Sequence, residues 1–121
     1  MKTYKVIVSK AAVLDLDSIS SYVASLYRPE SGHKYVNRIL GQLASLSYTA
    51  DIYPSSRFAT AKAVHPNART ISIINHRWTA VFHIKEQYVM IDRIIPSKMM
   101  VFIPYTGKRN NVIFSALEYL S

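Results

Sequence analysis

Arginine, lysine, histidine and tyrosine are the residues of this sequence with chemistry to offer. The stretch RWTAVFHIKEQYVMIDRIIPSKM, residues 77–99, reads as two strands and a tight turn. Arg93 and Lys98 stand at its end, and a tyrosine follows beyond. Brought together without a metal, such groups can cut RNA. A base takes the 2′-hydroxyl proton, cations stabilise the phosphorane charge, and an acid protonates the leaving oxygen. The same cations can equally bind an anionic surface and do no chemistry.

Other chemistries lack their motifs. The sequence holds no phosphate loop, no dinucleotide-binding glycine pattern, no HExxH and no nucleophile elbow. His33, His65, His76 and His83 lack metal-ligand spacing, so neither metal nor cofactor is expected. His83, among apolar strand residues, reads as structural, and His65 reads as a surface residue. There is no cysteine, which excludes a disulfide framework, a thiolate metal site and a cysteine nucleophile.

The totals frame these residues. A chain of 121 residues, half of them hydrophobic, is enough for one domain with a core. Its formal charge of +8 favours anionic partners such as nucleic acid, the ribosome or an acidic protein, although many small proteins are basic for solubility alone. MKTYKVIVSK alternates instead of forming an apolar core, so no secretory leader is expected. No apolar run approaches the roughly 20 residues that cross a bilayer. A cytoplasmic protein without membrane or small-molecule ligands is the expectation.

The elements that must position the cations follow from periodicity. Residues 3–9 alternate and are rich in β-branched side chains, which predicts a strand with Val6 and Val8 on one face. Ser9 is placed to cap the helix that follows. There Ala12, Leu16, Ile19, Val23 and Leu26 form one apolar stripe, with Asp15, Asp17, Ser18 and Ser21 off it. Asp15 and Asp17 diverge as neighbours two apart on a helix, so a solvated face is expected for both. Pro29 suits the first turn of a second helix, whose stripe is Val36, Ile39, Leu43 and Leu46, with Leu40 beside it. A short connection makes the two helices an antiparallel hairpin, and their stripes need a sheet to lie on.

Residues 48–68 read as a long, irregular, basic loop with Arg57, Lys62 and His65. Three strands follow, over residues 69–74, 77–84 and 88–95, with hairpin-sized gaps. The last has two mostly apolar faces, which predicts a central position. The expected fold class is α+β, in the order β-α-α-β-β-β, with a helical hairpin packed on one face of a small antiparallel-rich sheet. Residues 1–99 form the expected core. Residues 100–121 form an extension, in which Asn110 or Asn111 could cap a short helix bearing Ile113, Leu117 and Leu120.

Three stretches carry a family resemblance. YKVIVSKAAVLDLDSISSYVAS, with its run of Asp15, Leu16, Ile19, Tyr22 and Val23, resembles the opening strand and helix of the ParE/RelE superfamily of type II toxin–antitoxin toxins. RPESGHKYVNRILGQLASL is similar to the second helix of those toxins. ARTISIINHRWTAVFHIKEQYVMIDRIIPSKM resembles their closing strands, including Arg69 and the run from Arg93 to Ile95. The resemblance implies a growth-inhibiting toxin held by a cognate antitoxin protein, whose extended or helical segment wraps it.

Two branches are open within that family. ParE-like members poison DNA gyrase, and the resemblance then implies target-binding roles for Arg69, Arg93 and Lys98. RelE-like members cleave mRNA on the ribosome, which implies catalytic roles for Arg69, Arg77, Lys98 and Tyr105. Thr70 and Ser72 stand where such nucleases carry cations, and the next strand offers Thr79 or His83 in place of an arginine. The run DLDSISSYV favours ParE, yet Pro96, Ser97, Lys98 and Met99 replace the usual histidine and arginine pair. A basic nucleic-acid-binding module is the third reading. For Arg69, Arg93 and Lys98 the plain alternative is a salt bridge or a solvated strand end. Arg93 cannot pair with Asp92 on the opposite strand face, and a cross-strand partner is expected.

Overall fold

The structure is a computed structural model that describes residues 2–103. Strand β1 (Lys5–Val8) leads into α1 (Lys10–Leu26), and α2 (Pro29–Ala44) returns beside it. Two short pieces, α3 (Leu46–Thr49) and a 3-10 turn (Ala50–Ile52), precede α4 (Ala59–Val64). Strands β2 (Arg69–Ile73), β3 (Trp78–Lys85) and β4 (Tyr88–Pro96) follow, and a 3-10 turn (Ser97–Met99) closes the sheet. The strand order is β1-β4-β3-β2. β2, β3 and β4 are antiparallel, and β1 lies parallel to β4 through the helical crossover. β4 is therefore central, as its two apolar faces predict.

The first helix is fixed at its start. Ser9 Oγ accepts the Ala12 N–H at 3.1 Å and donates to the Asp92 carbonyl at 3.1 Å. One hydroxyl thus caps α1 and ties it to β4. Ala12, Leu16 and Ile19 are buried. Leu26, the last residue of α1, departs from the expected stripe and is 56% exposed. In α2, Ile39 and Leu43 are buried, whereas Leu46 reaches the core from α3. Gly32 lets the helices touch: a Cβ there would lie 2.4 Å from the Ser20 carbonyl oxygen. The main core combines these helix residues with Ile71, Ile73, Ala80, Phe82, Val89, Ile91 and Ile94.

Residues 48–68 are not the bare loop expected from their polar composition. They hold the end of α3, the 3-10 turn that follows it, and α4. Ala61 and Ala68 pack with Val81 and Ile95 in a second cluster, flanked by Phe58, Val64 and Met100. Small residues spaced for close approach to the sheet carried this signal, which a search for helix-long apolar stripes overlooks. The sheet is covered by the hairpin on one face and in part by α4 on the other.

Two irregularities shape the functional end. The register of β3 with β4 shifts between Val81 and Phe82, so Asp92 bulges out between Ile91 and Arg93. In the β2–β3 connection, Ile74, Asn75 and His76 have φ of 49°, 52° and 63°. Asn75 and His76 occupy the centre of a primed turn that suits the strand twist. The β-branched, buried Ile74 tolerates that backbone poorly.

Candidate functional site

Arg93 does not take the cross-strand partner expected of it. Its Nε and Nη2 donate to the two oxygens of Asp15 on α1, at 2.8 and 3.1 Å. Asp15 Oδ2 also accepts the Ile94 N–H at 2.9 Å. Asp15 is thus no solvated carboxylate, since its side chain is only 17% exposed. Asp17 does face solvent. The hydrogen bonds from Arg93 to Asp15, aided by the carboxylate charge and opposed by burial, raise the guanidinium above its ordinary value.

Arg69 is also engaged within the fold. Its Nη1 donates to the Ala50 and Tyr53 carbonyls at 3.3 and 2.9 Å. It lines a small polar cavity with Ser55, Asn67 and Ile84, separate from the clefts that hold Arg93 and Lys98. The structure therefore does not bring Arg69 into one cavity with the other candidate cations. Tyr105, like the helix expected after Asn110, lies outside the described residues.

Arg77 and Lys98 do meet. The Ser97 N–H donates to the Arg77 carbonyl at 3.0 Å, which fastens the β2–β3 turn to the 3-10 turn bearing Lys98. Both residues are exposed and line a cleft of about 580 Å³ with Tyr22, His76 and Trp78. A neighbouring cleft of about 470 Å³ runs between α1 and the end of β4, past Ile19, Tyr22, Trp78, Ile94 and Met99. Trp78 is held by its Nε1–H, which donates to the Tyr35 hydroxyl at 2.8 Å.

A third group lies on the sheet face away from the hairpin. His83 Nδ1 is 2.6 Å from Asp92 Oδ2, a carboxylate that the bulge brings alongside it. His65 stacks on His83 with ring centroids 3.8 Å apart and planes 4° from parallel. His65 is therefore no free surface residue, and its Nδ1 accepts the Asn67 N–H at 3.0 Å. His83 is thus held between a carboxylate and a stacked ring. Face-to-face rings cannot converge on one ion. Among the described residues, no three His, Asp or Glu side chains are placed to hold a metal. Nor is any described helix long and apolar enough to cross a membrane.

The arrangement defines an α+β protein with a helical hairpin on a mixed four-stranded sheet and a groove along the hairpin's edge. No family model matches the chain, and no curated protein matches it. Among solved structures, a chain of the "Chromosomal ParDE TA system from P. aeruginosa" shares this fold, with a TM-score of 0.65 and 24% identity. The match covers 78% of this chain and 96% of that chain.

Proposed function

We propose that this chain is the toxin of a bacterial type II toxin–antitoxin module, of ParE type. In this reading it inhibits growth by acting on DNA gyrase and is neutralised by a cognate antitoxin. The fold shared over 96% of a chain from a ParDE system is the observation that carries the reading. The toxin core spans residues 1–99, and residues 100–121 are an extension. Its first part packs back on the core, where the Val101 carbonyl accepts the Ala59 N–H and Phe102 stacks on Phe58.

The distribution of cations favours binding over RNA cleavage. A nuclease needs several cations and an acid–base pair around one phosphate. Arg69 is spent on two backbone carbonyls and Arg93 on Asp15. On the sheet face away from the hairpin, β2 offers only Thr70 and Ser72, and α4 covers part of the rest. Arg77 and Lys98 remain as exposed cations with no ion pair among the described residues.

The experiment is a supercoiling assay of purified gyrase with the full-length protein, run beside an in vitro translation assay. The ParE reading expects supercoiling to be inhibited and translation to proceed. Arrested translation with cleaved mRNA would replace it with the RelE-like alternative. No effect in either assay would leave the nucleic-acid-binding reading, tested by salt-dependent retention on DNA or RNA.

A further inference from the structure

The small cavity at the start of β2 measures about 260 Å³ and is lined by Ser55, Asn67, Arg69 and Ile84. No carboxylate and no imidazole lines it. Arg69 is fixed there through Nη1 alone, by the carbonyls of Ala50 and Tyr53. Its Nε and Nη2 have no hydrogen bond or ion pair among the described residues. No side-chain nitrogen of those residues is buried without a partner, so this edge of the guanidinium opens to solvent. It is the edge with two parallel N–H groups, the same one that Arg93 turns on the two oxygens of Asp15.

A second cation stands behind Ser55. Lys62 Nζ donates to the Ser55 Oγ at 2.6 Å and to the Pro66 carbonyl at 2.8 Å. An ammonium can only donate, so Ser55 must accept from it and keeps its own O–H to give elsewhere. That hydroxyl has no acceptor among the described residues, and Lys62 has no carboxylate partner there. Asn67 adds a carboxamide, on a backbone pinned by the bond from its N–H to His65 Nδ1. Asp51, in the 3-10 turn before Tyr53, accepts the Tyr4 hydroxyl at 2.8 Å and does not line the cavity. The cavity therefore gathers donors and positive charge with little to accept from a ligand.

We propose that this cavity binds a single phosphate group, as the free ion or as the end of a small phosphate monoester. Arg69 grips two of its oxygens through the Nε–Nη2 edge, Ser55 donates to a third, and Lys62 supplies charge from behind the hydroxyl. A planar carboxylate has only the two oxygens that the fork takes and would leave Ser55 unmatched, which selects a tetrahedral oxyanion. A nucleic-acid strand needs cations repeated along its backbone, whereas this pair stands at one small cavity. With no imidazole or carboxylate to move a proton, the group is held and not cleaved. Bound there, it joins the turn at Tyr53, the approach to α4 and the start of β2, and so stabilises residues 50–69. The site is independent of the toxin reading.

The test is an NMR titration of the isotope-labelled, full-length protein with inorganic phosphate, glycerol phosphate and acetate, at neutral pH and matched ionic strength. Saturable shifts are expected at the Arg69 Nε–H and at the amides of Ser55 and Asn67, with acetate binding about tenfold or more weakly. A response to inorganic phosphate alone assigns the free ion, and a response to both phosphates assigns the monoester class. Arg69→Lys keeps the charge but loses the fork, and should weaken binding about tenfold. Lys62→Gln and Ser55→Ala should each weaken it about threefold or more. Ser55 is exposed, so its variant tests the site even where Arg69→Lys unfolds. Absence of saturable shifts overturns the proposal, as do acetate binding as tight as phosphate and unchanged affinity in both Ser55→Ala and Lys62→Gln. Binding that is lost in Arg77→Ala instead puts the ion in the other cleft and overturns it too.

Discussion

Asp15 on α1 holds Arg93 and the Ile94 N–H of β4 with one carboxylate, through contacts of 2.8, 3.1 and 2.9 Å. These residues are separated by nearly the whole core of the chain. With Ser9 bonded to the Asp92 carbonyl, the start of α1 is riveted to the bulge of β4 at two points.

Removing that carboxylate should therefore loosen the seam. Asp15→Ala leaves the Ile94 N–H and Arg93 without their acceptor and is expected to cost about 1–3 kcal/mol. Arg93→Ala should cost less, about 1 kcal/mol or below, because its side chain is 43% exposed and water screens the pair. Urea unfolding of the two variants checks the order. Since the Arg93 guanidinium is raised in the folded state, its share of stability is full at neutral pH. That share fades only as pH climbs through the raised, strongly alkaline value.

The two glycines of α2 should respond in opposite senses. A Cβ at position 32 would meet the Ser20 carbonyl oxygen at 2.4 Å and its Oγ at 2.7 Å. Backbone cannot retreat cheaply, so Gly32→Ala is expected to destabilise by about 1–3 kcal/mol by prying α1 from α2. At Gly41 nothing lies within 4 Å, and Ala there should stabilise by up to about 1 kcal/mol through helix propensity. Thermal unfolding of both variants is a direct comparison.

His83, Asp92 and His65 are expected to fasten the segment around α4 to the sheet. His83→Ala removes both the ring beneath His65 and the partner of Asp92, and should cost about 1–3 kcal/mol. Hydrogen exchange should then quicken at the amides of α4 and at Asn67, with little change in α2. Uniform quickening throughout would show that this contact serves the whole fold and not one segment.

Arg69 and Lys98 should separate stability from activity. Arg69→Ala loses two bonds to carbonyls and is expected to lower the unfolding midpoint. Lys98→Ala should leave stability within about 0.5 kcal/mol, as for an exposed surface residue. In the toxin reading, Lys98→Ala nevertheless weakens growth inhibition on induced expression. Equal toxicity of wild type and Lys98→Ala at matched protein levels would remove Lys98 from the target-binding set.

Much of the fold was legible in the residues themselves. Alternation marked β1 and β4, the stripe of Ala12, Leu16 and Ile19 marked α1, and Pro29 marked the start of α2. Helix and strand periods are local properties, set by which side chains must share a face. Even the central place of β4 followed, because a strand apolar on both faces needs cover on both.

The fates of the charged residues were not local. Asp15 looked like any carboxylate off an apolar stripe, and Arg93 like any cation at a strand end. Only the parallel placement of β1 beside β4, with the bulge at Asp92, brings them together. Likewise Gln42 and Ile74, or His65 and His83, meet only once α2 and α4 have docked on opposite faces of the sheet. The sequence by itself determined the elements and their buried faces, because apolar burial depends on short periods. Tertiary structure alone decided which cations are held within the fold and which stand without an ion pair among the described residues, because ion pairs and hydrogen bonds act over a few ångströms between distant segments.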